Sequence, residues 1–144
     1  MPDTMAPSET IHASCVAVDG RGVLILGGAG AGKSSLALQL MAYGAVLVAD
    51  DRITLTARDG TLWATCPPTI RGVIEARGVG LLHATTLPKV AVDLVVDLNQ
   101  PEVERLPDPC ETTILDISVP LQRHADTPAF AAAILQRVKQ GRFA

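Results

Sequence analysis

The chain has 144 residues, 48% of them hydrophobic, enough to bury one core and leaving little for a second. Its 12 basic and 15 acidic residues give a net charge of -3, and the basic ones are spread out, which excludes the basic track of a nucleic-acid binder. Cys15, Cys66 and Cys110 are too scattered, and odd in number, for a disulfide framework or a CxxC pair, and no apolar run nears the ~20 residues that span a bilayer, so a soluble cytoplasmic protein without a membrane partner is expected.

Residues 1–10 carry Pro2, Asp3, Pro7 and Glu9 with no basic start or apolar core; they read as a flexible leader rather than a secretory signal, ahead of a single domain over 11–144. "HASCVAV" and "GVLILG" flank Asp19-Gly20, a strong hairpin signal, and the second run delivers the chain into Gly27. From Lys33 to Tyr43 the period becomes helical, with Leu36, Leu40 and Tyr43 on one side and Gly44 available as a left-handed stop. "AVLVADD" is a short buried strand ending in Asp50-Asp51, and a further hairpin is expected over Ile53–Ala57 and Thr61–Ala64 around Asp59-Gly60. Cys66-Pro67-Pro68 interrupts the sheet pattern. Glu75 and Arg77 share a side if extended, before a bend at Gly78-Val79-Gly80. Strands are then predicted over Val90–Leu98 and Thr112–Val119, separated by a loop, and a last helix over Ala129–Gln140 is opened by Pro128 with Asp126 or Thr127 as cap. The balance is rich in strands, with two helices and no internal repeat.

Gly27-x-x-x-x-Gly32-Lys33-Ser34 satisfies the Walker A pattern and lies between a predicted strand and a predicted helix, as that motif requires. Along Gly27, Gly28, Ala29, Gly30, Ala31 and Gly32, small residues let backbone N–H groups turn inward around phosphate oxygens. Lys33 can reach the outer phosphates, Ser34 can ligate Mg2+, and Ser35 completes the loop. The cofactors read from this pattern are a nucleotide and Mg2+. Asp50 and Asp51 follow Ser34 by 16 and 17 positions, where one carboxylate can serve the cation and the other act as general base. Both reach one pocket only if the strand bends or ends there; otherwise one of them caps the next turn. Glu75 and Arg77 are either a solvated edge or a further Mg2+ ligand and a cation offsetting charge on the transferring group. A lone histidine such as His12 is more often structural, yet the first hairpin can bring it near the loop. The sequence lacks NKxD, an LSGGQ-like segment, an arginine-rich lid, and both HRD and DFG, so the loop serves another phosphoryl acceptor than those motifs imply.

The linked order of "IHASCVAVDGRGVLILGGAGAGKSSLALQLMAYGAVLVADDRITL", the double proline and "IEARGVGLL" resembles the catalytic domain of bacterial HPr kinase/phosphorylase, and more closely its short single-domain form in alphaproteobacteria. The similarity runs over residues 11–98 and thins after Asn99. It implies an α/β architecture: an incomplete P-loop fold with a mixed, strongly antiparallel sheet and few helices. It also implies an ATP-dependent kinase of a serine on HPr, the small phosphocarrier of the sugar phosphotransferase system, together with a phosphorolysis that releases pyrophosphate. Carried across, Lys33 holds phosphates, Ser34 and Glu75 resemble the Mg2+ ligands, Asp50-Asp51 supplies the base, and His12 matches a histidine that tunes it. The family's Gly-Arg-Asn segment has no clean match; Arg123 stands nearest as a catalytic arginine, without the glycine before it, and Arg105, in the loop before the last strand, is the alternative. Full-length members are hexamers, which makes a homo-oligomer an option here. Two other readings are a P-loop kinase of a small metabolite, and a nucleotide-binding regulatory module that transfers nothing. The retained carboxylate pair with Glu75 argues against the second, since binding alone needs no base.

Overall fold

The computed structural model describes residues 6–144. Among them are eleven strands and two α-helices: β1 Ser8–Ile11, β2 Ser14–Val18, β3 Arg21–Leu26, α1 Lys33–Ala42, β4 Val46–Ala49, β5 Ile53–Arg58, β6 Thr61–Thr65, β7 Val73–Ala76, β8 Gly80–His83, β9 Lys89–Glu102, β10 Cys110–Ile114, β11 Ile117–Ala125 and α2 Phe130–Gln140. Nine of the strands form one sheet, in the order β1-β5-β6-β9-β3-β2-β4 with β10 and β11 joined through β9, while β7 and β8 pair separately. All pairings between these strands are antiparallel except those of β9 with β3 and with β11. This is the mixed, mostly antiparallel sheet with few helices that was expected.

The central strands read as continuous apolar runs because both of their faces are covered. Along β2, Cys15 and Ala17 enter one cluster while Val16 and Val18 enter the other; along β9, Val95 faces the first and Leu94 and Val96 the second. The first cluster includes Ile53, Leu55, Leu62 and Ala64 from the β5–β6 hairpin. The second holds both helices, through Leu36, Ala37 and Leu40 of α1 and Phe130, Ile134 and Val138 of α2. Their i, i+4 spacing puts each set on one helical face. No helix among the described residues is long and apolar enough to cross a membrane.

Several boundaries differ from expectation for identifiable reasons. Residues 1–5 of the expected leader lie outside the described residues, but Ser8–Ile11 is a strand on β5, where the Thr10 and Thr54 hydroxyls meet at 3.0 Å and those of Ser8 and Thr56 at 3.2 Å. A polar edge strand of this kind carries no hydrophobic signal. Tyr43 is 56% exposed, because it caps α1 beyond its last helical residue, and Gly44 follows at φ 107°. β9 runs four residues past Leu98 and includes Pro101. That proline is tolerated because β3 ends its pairing at Asp97, leaving one edge of β9 unpaired beyond it. The single strand expected over Thr112–Val119 is a hairpin whose turn places Leu115 and Asp116 at φ 49° and 63°. A primed turn built without glycine gives no sequence warning. α2 starts at Phe130 rather than Ala129, and the Thr127 hydroxyl accepts from the Ala129 N–H at 3.2 Å, closing the turn before the helix instead of capping it.

Candidate functional site

β3 runs straight into the glycine loop and α1 begins at Lys33, directly after Gly32. Gly32 sits at φ 100°, a left-handed conformation that favours glycine, and no side chain caps the helix it precedes. No acidic residue stands in the first turn either, so the uncapped N–H groups and the positive end of the helix are left for an external anion. At Gly27 a side chain would collide: a Cβ there would lie 2.9 Å from that of Ala31 and 3.3 Å from that of Leu98. The loop folds on itself, Ala31 N–H donating to the Gly28 carbonyl at 3.0 Å. Asn99, on β9, holds its entry by accepting the Gly28 N–H at 3.0 Å. The Lys33 ammonium turns back onto the loop, donating to the carbonyls of Gly27 at 2.7 Å and Gly28 at 3.3 Å.

The two aspartates are separated by environment. Asp50 is buried, and its Oδ1 accepts from the hydroxyls of Ser34 at 2.7 Å and Ser14 at 2.8 Å, while its Oδ2 accepts the Glu75 N–H at 3.0 Å. These donors stabilise a buried carboxylate that would otherwise be costly. Asp51 is exposed; its φ of 69° ends the strand direction, and its N–H donates to the Ser14 hydroxyl at 3.3 Å. A non-glycine residue in this region carries strain, which the surrounding structure must hold. The bend answers the geometric question posed by two adjacent carboxylates.

Asp51 lines a cavity of about 490 Å³ together with Lys33, Ser34, Ser35, Glu75 and Arg77. Gly30, Gly32 and Ala29 supply its loop wall. In β7, Ile74 and Ala76 are buried and Glu75 faces outward, and Arg77 in the following turn shares Glu75's parity. The Glu75 N–H bond to Asp50 ties this hairpin to the end of β4. A second opening of about 350 Å³ beside it is lined by Asp50, Asp51, Ile70, Val73, Glu75 and Leu81.

Among the described residues no group of three or more His, Cys, Asp or Glu side chains could hold a metal. The hydroxyl of Ser34 and the carboxylate of Glu75 do suit Mg2+, a hard cation that keeps several waters and takes one or two protein oxygens alongside phosphates. Asp50 commits both oxygens to three protein donors, so it bears on such a cation through Ser34.

Besides Asp50, two residues expected to be catalytic do not line this cavity. His12 is exposed in the bend between β1 and β2 and does not line it. Arg123 is held elsewhere, its Nε donating to Gln100 Oε1 at 3.2 Å and its Nη1 to Cys110 Sγ at 3.4 Å, with Glu102 4.0 Å away. Conversely, Ser14 and Asn99 escaped the sequence reading. Ser14 lies inside a buried strand, where its only signal is a hydroxyl in a run without other polar residues, and Asn99 falls just past the predicted end of its strand, in a segment of loop-like composition.

The HPr Serine kinase C-terminal domain family matches residues 3–125 of this chain. The HPr kinase/phosphorylase of Limosilactobacillus reuteri is 38% identical over 131 residues, covering 82% of this chain and 41% of its own. That of Bordetella pertussis is 39% identical over 115 residues, 72% of this chain and 37% of its own. The solved Hpr(Ser) kinase/phosphatase from Coxiella burnetii superimposes with a TM-score of 0.77 at 28% identity, covering 91% of this chain and 94% of that one. The chain thus spans about two fifths of the length of the curated relatives it matches. The three come from diverse bacteria and single out no lineage.

Proposed function

Because this chain belongs to the HPr Serine kinase C-terminal domain family, we propose that it is an ATP-dependent protein kinase acting on a serine of an HPr-like phosphocarrier. The observation that carries this reading is the split between its adjacent carboxylates. Asp50 is buried under three donors, whereas Asp51 opens onto the cavity of Lys33, Ser34 and Glu75.

The loop N–H groups and Lys33 hold the phosphates. Ser34 and Glu75 would hold Mg2+, which when bound offsets charge on the phosphates. Asp51 accepts the proton of the attacking serine hydroxyl as the serine O–P bond forms and the bond from the γ-phosphorus to the bridging oxygen breaks to release ADP, since a serine at neutral pH is a poor nucleophile until a base is within hydrogen-bond reach. Arg77 adds positive charge at the rim of the same cavity, suited to the transferring group. In the reverse direction, inorganic phosphate attacks the phosphorus of phosphoserine, the new P–O–P bond gives pyrophosphate as the serine O–P bond breaks, and protonated Asp51 returns its proton to the departing serine oxygen, so one pocket serves kinase and phosphorolysis. His12 and Arg123 lie outside this reading of the chemistry.

The test is transfer from γ-labelled ATP with Mg2+ to each purified HPr-like protein of the source genome, with Lys33→Ala alongside. Acid-stable label on a serine, lost in the variant, is the expected result. ATP binding without label on any of them would overturn the assignment in favour of a regulatory nucleotide-binding module.

A further inference from the structure

A triphosphate on the loop leaves the nucleoside end without a place in the cavity already described, whose walls are the loop and charged groups. The 350 Å³ opening lies on the Asp50 and Asp51 side; a second cavity that borders the loop, of about 240 Å³, lies on its other flank, lined by Gln39, Leu98, His124, Thr127 and Phe130 among others. Gly32 and Ser35 wall both cavities, so the two meet across the start of α1. Asp51 marks the first as the end where the phosphoryl group departs. The phosphates form a linear chain, so the nucleoside must leave the loop on the far side of Gly32 and Ser35, where this second cavity opens.

Topology and local chemistry agree with that direction. β3 and β11 both run parallel to β9, so their carboxyl ends share one edge of the sheet, which is where open α/β sheets bind ligands. The loop follows β3 at this edge, and the β11–α2 connection carrying Thr127 follows β11. The β11–β9 register shifts between Arg123 and His124, a break of the kind that re-aims a side chain. Arg123 is held by Gln100 and Cys110, and it is His124 that reaches the second cavity. Its ring is braced by Phe130, centroids 5.2 Å apart and planes tilted 59°, so a flat ligand stacking there meets a positioned partner. The Thr127 hydroxyl accepts from the Ala129 N–H, which leaves its own proton free to donate, and exposed Gln39 offers both a donor and an acceptor.

We propose that this second cavity holds the nucleobase of the bound nucleoside triphosphate, stacked on His124 between Leu98 and Pro128 with Gln39 and Thr127 reading its polar edge. The inference rests on the nucleotide reading above and deepens it.

Isothermal titration of the wild type, Gln39→Trp and His124→Ala with Mg·ATP and with Mg·tripolyphosphate separates the two. Tripolyphosphate has the phosphates and no base, and Gln39 is an exposed helix position where Trp fills the cavity without entering the core. The expected result is tripolyphosphate binding equal to wild type in both variants and ATP binding weakened about tenfold or more, the order of a lost base–aromatic stack. Variants that bind ATP as tightly as wild type would overturn the base cavity while leaving the phosphate site standing. Equal loss of both ligands would overturn it too, as damage to the loop. A wild type that binds neither ligand overturns the nucleotide reading and this inference with it.

Discussion

Replacing Ser14 by alanine isolates the residue that joins both aspartates. The hydroxyl is fully buried, donates to Asp50 Oδ1 at 2.8 Å and accepts the Asp51 N–H at 3.3 Å. A hydrogen bond to a charged group is worth about 1.5–3 kcal/mol and a long neutral one less. Asp50 keeps Ser34 and the Glu75 N–H after the substitution, so it is not orphaned. The net loss should therefore fall near the lower part of that range with the second bond added, about 2 kcal/mol. For a chain of this size that is a drop of about 6–8 °C in Tm. With a urea m-value of about 2 kcal/mol/M, the midpoint should fall by about 1 M at unchanged m. Phosphate transfer should fall as well, because the Ser14 bond is one restraint on the strained Asp51 backbone at φ 69°. A midpoint that moves by less than about 0.2 M would refute the claim that this hydroxyl anchors the pair.

Asp51→Asn should lower transfer by about 10²–10⁴-fold while nucleotide affinity, by titration, stays near wild type; comparable transfer would remove Asp51 as the base. Gly22→Ala would set a Cβ 2.6 Å from the Ala91 carbonyl oxygen and 2.8 Å from Val90 Cγ1, against the backbone of β9. It should destabilise by about 1–3 kcal/mol in urea unfolding, and an unchanged midpoint would show that β9 yields. Burial pushes the Cys15 thiol from 9.0 up to about 12. The folded state therefore keeps a proton that the unfolded chain loses, so this contribution is intact below pH 9 and is lost as pH rises toward 12. The expected slope is about -1.4 kcal/mol per pH unit; Cys15→Ala should lack it, and parallel stability curves for the two proteins would sink the prediction.

The parts of the fold legible in sequence were those with a local signal. Asp19-Gly20 and Asp59-Gly60 announce their hairpins, and the Leu36, Leu40, Tyr43 spacing announces α1, although Tyr43 itself lies past its end and is exposed. The Leu115-Asp116 turn was invisible because its left-handed residues are not glycine, and the reach of β9 was hidden by Pro101. At the site, the loop and the aspartate pair carry a signal of residue type and spacing, whereas spacing alone leaves Glu75 and Arg77 open between a solvated edge and a site role; the structure brings Lys33, Ser34, Asp51, Glu75 and Arg77 to one cavity. Which aspartate is buried depends on Ser14, 36 residues from Asp50. Asn99 reaches Gly28 across 71 residues. Such contacts are set by strand register, which no window of sequence reports.

β9 bears on the order in which the molecule can assemble. Lys89–Ala91 pair with β6, Val92–Asp97 with β3 and Val95–Glu102 with β11, so one late segment closes three pairings with partners distant in the chain. The same strand packs Leu98 near Gly27 and binds Gly28 through Asn99. A fragment ending at Arg58 would carry the whole glycine loop and both aspartates yet lack the floor on which that loop is set. Ligand affinity should therefore emerge only after β9 has docked, making it a reporter of late, non-local steps in folding, and those steps should be slow because long loops must close before any contact rewards them.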